Sequence, residues 1–253
     1  MSLSVVVVSH GSGEHLDRLL PTIDVPAQVI VVETGPAPLS LSGAETLHLP
    51  ENPGFGPANN AAIERATGDV CALLNPDTIL PPGALSVLAA AAARQDALHV
   101  PRLRNADGSP QDSVHPHPRS RVNYLRAVAP GPLRRRLGER KPGWAIAAAM
   151  VARTATLRRL GPFDPLIFLF YEDMDLCLRA RSTGVPVVLH RDVVVTHVGG
   201  HSTGPEDIRV QVFRRCYTVG PYWARDRRAL LLEHGLRAWR ARDRAWVREL
   251  RRG

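Results

Sequence analysis

Lysine is almost missing from this chain: Lys141 is the only one, so arginine supplies nearly all of the positive charge. No G-x-x-x-x-G-K-[ST] segment occurs, which removes the phosphate loop whose lysine reaches a bound nucleotide. Cysteine is also scarce. Cys71, Cys177 and Cys216 are odd in number and form no C-x-x-C pair, which argues against a disulfide framework and against a zinc site. Each reads as a small buried residue. Long apolar runs are lacking too, since "ALSVLAAAAA" and "AIAAAMVA" are too short to cross a bilayer and lie inside periodic segments. The start, "MSLSVVVVSH", has no basic leader and reads as a first strand, not a signal peptide. The expectation is a cytoplasmic protein.

What is present supports a full core. A length of 253 residues with 44% hydrophobic content suits one large α/β domain or two small ones and excludes a disordered or fibrous chain. The formal charge of +8 and pI near 10.3 point to an anionic partner. Much of that charge is terminal. From Arg225 to Arg252 the chain is dense in arginine, with Leu232, Leu236, Trp239, Trp246 and Leu250 at helical spacings. Such a basic amphipathic helix either packs on the domain or adsorbs to an anionic membrane face. Nucleic-acid binding is the weaker alternative, because no helix-turn-helix, zinc-finger or RNP pattern accompanies the charge.

The first hundred residues alternate strand and helix. Val5–Val8 and Val29–Val32 are apolar runs of the kind that form parallel strands buried on both faces. Ser12 is placed to cap a helix carrying Leu16, Leu19, Leu20 and Ile23. A strand near Thr46–Leu49, the loop "ENPGFGPANN", a helix with Ala58, Ala61, Ala62 and Ile63, the strand "DVCALL", an alanine-rich helix and the strand "ALHV" follow. This βαβ rhythm predicts a mostly parallel twisted sheet with its ligand crevice beyond the carboxyl ends of the strands. Ser9, Glu33, Asn52 and Asp77 fall at those ends. Residues 101 to about 142 read as a long surface excursion, and two strands, "VPVVLH" and "DVVVTHV", close the pattern.

The loop "HGSGEHL" lacks the third glycine of a dinucleotide fingerprint, Leu16 standing in its place, so Gly11 and Gly13 serve a turn. What remains is a set of polar groups at strand ends: Glu33, Asn52, Asn60, Asn75, Asp77, Asp173 and His197. Asp77 is a hard oxygen ligand for magnesium or manganese, and His197 adds a nitrogen that suits manganese better. Glu172, Asp173 and Asp175 directly follow the apolar and aromatic residues "FLFY". They read either as first-turn acids that complement a helix dipole or as carboxylates with a task.

The runs "NPGFGPANNAAI", "LLNPDTILPPGAL", "GPFDPLIFLFYEDMDLCLRARSTG" and "VVVTHVGGHST" occur in the order of the motif series of family 2 inverting glycosyltransferases, which the chain resembles from residue 3 to about 204. The resemblance is closest to the bacterial rhamnosyltransferase-like branch. It implies a GT-A fold in one domain over residues 1–223, with a nucleotide-binding part to about residue 100 and an acceptor-binding part beyond it. The tail, 224–253, lies outside it. It implies that Asp173 is the catalytic base, that Ser9, Glu33, Asn52, Gly54, Asn60, Asn75 and Asp77 bind the nucleotide-sugar, and that Trp144, Asp164 and Glu172 face the acceptor. Asp77 and His197 would hold a divalent metal, Mg2+ or Mn2+. The metal motif departs from D-x-D in reading Asn75-Pro76-Asp77, Ala147 replaces a frequent glycine, and Glu33-Thr34 replaces the usual aspartate and asparagine. The implied reaction moves a sugar, L-rhamnose from dTDP-rhamnose, onto a cell-envelope saccharide or lipid-linked acceptor. A UDP-hexose donor, a soluble acceptor and a non-catalytic binding module are the alternatives.

Overall fold

Four consecutive valines build the centre of the sheet. The computed structural model describes residues 1–117, 120–161, 163–165 and 167–199, and for Tyr124 and Ala127 the backbone alone. Cys216 and the tail 224–253 lie outside the described residues. Strand β1 (Leu3–Ser9) is buried along its whole length, and successive side chains leave opposite faces. Val6 and Val8 enter one core with Ala58, Ala62, Ile63, Leu157 and Leu176; Val5 and Val7 enter another with Leu16, Leu19, Leu85 and Leu88. Burying each of these valine, leucine and isoleucine side chains contributes about 1.5–3 kcal/mol. The result is a sheet covered on both sides.

Strand β2 (Gln28–Glu33), β3 (Glu45–His48) and β4 (Val70–Leu74) run parallel to β1, with β1 between β2 and β4. The chain order therefore reverses between β1 and β4, the kind of place where α/β sheets open a crevice. Beyond β4 the sheet becomes mixed. Strand β9 (Ala149–Arg153) is antiparallel to both β4 and β6 (Leu98–Arg104), and β10 (Val187–His197) runs parallel to β6. The two-residue β5 (Thr78–Ile79) pairs antiparallel with the end of β10. The carboxyl ends of β1, β2, β4, β6 and β10 thus share one edge with the amino end of β9.

Helices α1 (Gly13–Leu19) and α3 (Ala84–Arg94) send their buried leucines to one face, while α2 (Phe55–Arg65), α6 (Thr154–Leu160) and α7 (Glu172–Ser182) cover the other. Ser12 stands at the start of α1, but its hydroxyl donates to the His10 carbonyl and accepts from no helix amide. Its carbonyl instead accepts from the amides of His15 and Leu16.

The segment expected to be a surface loop holds structure of its own. Strand β7 (Val114–His115) pairs with β8 (Trp144–Ala145), and α4 (Val122–Val128) and α5 (Gly131–Arg140) lie between them. Periodicity hides this hairpin because polar anchors hold it in place of an apolar stripe. Arg126, 1% exposed, donates to Asp112 and to the Arg134 carbonyl, and Arg134 donates to Asp112 in turn. The two expected final strands are one, with a register irregularity between His190 and Val194 at the exposed Arg191 and Asp192.

Candidate active site

At the ends of β1 and β2 the buried Glu33 closes a loop from within. One carboxylate oxygen accepts from the Ser9 hydroxyl at 2.7 Å, and the other accepts from the Gly11 and Gly35 amides at 2.8 and 2.5 Å. The acid expected to meet the nucleoside therefore holds the β1–α1 turn, where Gly11 has a φ of +63°. Thr34 adds its amide and hydroxyl to the Ser9 carbonyl.

The next strand end leads into a turn built on positive φ. Asn52 has φ +44°, its side-chain oxygen accepts from the Gly54 amide, and Gly54 has φ +103°. A β-carbon at Gly54 would stand 2.5 Å from the Phe168 carbonyl oxygen, so only glycine lets this loop meet that segment. The Phe55 amide donates to the same carbonyl. One turn later Asn60 donates to the Phe163 carbonyl and accepts from the Phe163 amide, both at 2.8 Å. Asn60 thus has a partner other than the nucleotide expected of it: it clamps α2 to the segment that leads into the acidic run.

Asn75, Asp77 and His197 converge where β4 and β10 end and β5 begins. The Asp77 carboxylate accepts from the Gly199 amide at 2.8 Å, and its other oxygen lies 3.4 Å from Nε2 of His197. The Asn75 side-chain amide lies 3.3 Å from the same Nε2, while its carbonyl oxygen is buried without a partner.

The hydrogen-bond direction at His197 is set by a relay. The Asp107 carboxylate, held below the usual range by the Ser109 hydroxyl and amide, accepts from that hydroxyl at 2.6 Å. Ser109 then accepts from the Asn105 amide, Asn105 accepts from Gln111, and Gln111 turns its oxygen to Nδ1 of His197 at 3.0 Å. Nδ1 must carry a proton, and in the neutral ring the Nε2 lone pair then faces the Asn75 side-chain amide and Asp77. Two acceptors at that range repel unless a proton or cation lies between them. The donor set of imidazole nitrogen, carboxylate and orphaned amide oxygen fits manganese or magnesium. Among the described residues no three His, Cys, Asp or Glu side chains are grouped so as to hold a metal ion by themselves.

The acidic run stands at the start of α7, in the first turn as helix-dipole reasoning predicts, yet all three acids are buried. Phe170 and Tyr171, both at φ +69°, make the left-handed corner that turns them inward. Asp173 accepts from its neighbour Met174 at 2.7 Å and from the Ala147 amide at 3.3 Å. Burial pushes its carboxyl up to about 6, against the lowering effect of those amides. Burial, and then the Asp173 charge, push Glu172 up to about 8; one of its oxygens is buried without a partner. Asp175 is raised by burial and held by Arg179 at 2.8 Å, which makes it part of the helix start.

Ala147 and Ala148 join the two halves of the site. The Ala147 amide faces Asp173, and the adjoining Ala148 carbonyl accepts from the Asn75 amide at 2.8 Å. Trp144 stacks on His115 with ring centres 4.1 Å apart and packs with Ile167 and Met174. The Asp164 carbonyl accepts from the Ile167 amide, and its charge reaches Asp175. Sequence reasoning passed over Gln111 and its relay. The turn "NADGS" directly after β6 was the available signal.

Solved structures share this architecture. S. aureus TarS 1-349 superposes with a TM-score of 0.58 at 17% identity, covering 97% of this chain and 74% of its own. A mannosyltransferase of Pyrobaculum calidifontis in complex with GDP-Man and Mn2+ has a TM-score of 0.58 at 17% identity, covering 95% and 75%. GalNAc-T7 with UDP, GalNAc and Mn2+ reaches 0.64 at 13% identity, covering 87% and 52%. These likenesses give the GT-A fold. In sequence, N-acetylglucosaminyl-diphospho-decaprenol L-rhamnosyltransferase of Mycobacterium tuberculosis is 27% identical over 239 residues, which cover 80% of this chain and 78% of that protein. The model of the family described as glycosyltransferase-like family 2 matches residues 37–218. With most of the chain inside that match, the protein belongs to glycosyltransferase family 2.

Proposed function

We propose that this glycosyltransferase transfers L-rhamnose from dTDP-rhamnose, with inversion, to a polyprenyl-diphosphate-linked saccharide. One observation carries the reading of the site: a single dipeptide, Ala147–Ala148, bonds both the buried Asp173 and the Asn75–Asp77 turn. A proton acceptor and a diphosphate-handling cluster stand on either side of it, as an in-line displacement needs. The transferred sugar and the acceptor rest on the mycobacterial relative, whose name gives both; the dTDP carrier rests on the resemblance to the rhamnosyltransferase-like branch.

In this reading Asp173 takes the proton of the acceptor hydroxyl as its oxygen bonds to the anomeric carbon and the bond to the diphosphate breaks. The two amides on Asp173 fix the carboxylate in place, and its raised pKa makes it a better base than an exposed aspartate. Asp77, His197 and Asn75 would hold the divalent ion, which as a Lewis acid neutralises charge on the departing diphosphate. Trp144, Asp164 and Glu172 face the acceptor. Ser9 and Glu33 support the nucleotide side by shaping the β1–α1 turn, and Asn52, Gly54 and Asn60 by fixing the α2 entry. Ile167 and the aromatic corner exclude water that would otherwise hydrolyse the donor.

No helix of the described residues is long and apolar enough to cross a membrane; the lipid-linked acceptor in the name of the mycobacterial relative is what supports a peripheral place at the inner face of the plasma membrane. Residues 1–223 form the catalytic domain and 224–253 a basic tail; deleting residues after Tyr222 should reduce vesicle binding. Melting temperature against dTDP, UDP, GDP and their sugar conjugates, with and without Mn2+ or Mg2+, tests the donor. A metal-dependent rise with dTDP-rhamnose, absent in Asp77→Ala, is expected. A UDP-selective rise would replace the sugar, a reading favoured by the TarS complex with UDP-GlcNAc.

A further inference from the structure

The corner between α4 and α5 exposes apolar side chains that the core does not use. Seven large hydrophobic residues are exposed among those described, and three of them, Leu125, Val128 and Leu133, fall within nine residues at this corner. Their exposures are 61, 67 and 48%. Single exposed leucines are ordinary, but a cluster on a projecting turn calls for a partner.

Charge surrounds the cluster in an ordered way. On α4 the exposed stripe at helical spacing reads Arg121, Leu125, Val128; on α5 it reads Leu133, Arg136, Arg140, followed by the exposed Lys141. The apolar ends of both stripes meet at the turn Ala129–Pro130–Gly131, and the cations stand at the far ends. At 1.5 Å per residue, Arg140 sits roughly 10 Å along the axis from Leu133. That separation matches the depth at which interfacial helices bury apolar groups while arginines remain with the headgroups. The one acid between residues 121 and 141 is Glu139, which is taken up by Arg102 and Arg135.

We propose that this corner is a membrane-docking tip, with Leu125, Val128 and Leu133 inserted among the headgroups of an anionic lipid surface. A second copy is a poor occupant, because a symmetric contact would set the same arginines against themselves. The chain's own tail from Arg225 onward carries the same sign of charge. The base of the tip is rigid, since Asp112 ties α4 to α5 through Arg126 and Arg134. Arg126 also bonds His115, which stacks on Trp144 beside the Met174 cluster, so a docked tip would hold the candidate site near the headgroup plane. The proposal needs no particular donor or acceptor.

The test uses the full chain with Leu133→Cys and Cys216→Ser, labelled with a polarity-sensitive fluorophore. Cys71 and Cys177 are buried with thiols pushed up to about 12 and escape labelling. Vesicles of phosphatidylcholine with phosphatidylglycerol should shift the emission to the blue and allow quenching from a lipid-borne quencher; pure phosphatidylcholine should do neither. Adding Leu125→Glu and Val128→Glu should abolish the shift with the melting temperature unchanged. Sedimentation with vesicles while the label stays unshifted would mean that another part of the chain docks, and would overturn the proposal. A vesicle-free dimer that Leu133→Glu dissolves would also overturn it, in favour of self-association.

Discussion

Nδ1 of His197 lies 3.0 Å from Oε1 of Gln111, and this contact leaves the ring's other nitrogen as an acceptor facing Asp77. Replacing Gln111 with leucine removes the group that selects the tautomer. Mn2+ affinity measured by titration calorimetry with nucleoside diphosphate present should fall about 10–100-fold. Gln111→Glu, which still accepts from Nδ1, should keep it. Imidazole nitrogen shifts should show mixed tautomers in Gln111→Leu alone; one unchanged tautomer there would refute the relay.

Asp173→Asn should lower the transfer rate by about 10²–10⁴-fold. In the parent enzyme the rate should rise with pH through about 6, the value to which burial lifts this carboxyl. Stability moves the other way. A carboxyl raised above its unfolded value of 3.8 stabilises the fold below that value and loses the contribution as pH rises through about 6. Melting curves should therefore show Asp173→Asn gaining on the parent at pH 8 and not at pH 4. Equal stability at pH 8 would contradict the burial argument.

Asn60→Ala should cost about 1–3 kcal/mol in denaturant unfolding, because it leaves the Phe163 amide and carbonyl without their clamp. The segment leading to Asp173 loses its tie to α2, so kcat should fall more than donor KM changes. Gly54→Ala meets the Phe168 carbonyl and a φ of +103° and should destabilise by at least about 1–3 kcal/mol.

His99 and His190 pair across β6 and β10, Nδ1 to Nε2 at 2.8 Å, while the other nitrogen of His99 meets the Gln95 carbonyl. Burial holds both below the usual histidine value. The folded state thus disfavours the protonated rings, and stability is lost as pH falls below the unfolded value near 6.5. Melting temperature should drop between pH 7 and pH 5, and His190→Gln should flatten that drop.

Local chemistry in the sequence determined the strands of β1, β2 and β4, the helices with leucine or alanine stripes, and the polar residues at strand ends. Valine runs and 3.6-residue spacing report burial directly, because each side chain's environment repeats with the period of its own element. The same locality made Asp77, His197 and Asp173 visible as acids and a histidine abutting apolar runs. Partners distant in the chain were decided only by the tertiary structure. It tied Asn60 to Phe163, turned Glu33 inward onto Ser9 and two glycine amides, and set Gln111 behind His197. It also built α4 and α5 on a buried arginine, where hydropathy carries no signal. Periodicity specifies which side of an element is buried; which polar group waits there depends on how separate elements pack, and single-chain spacing holds no record of that.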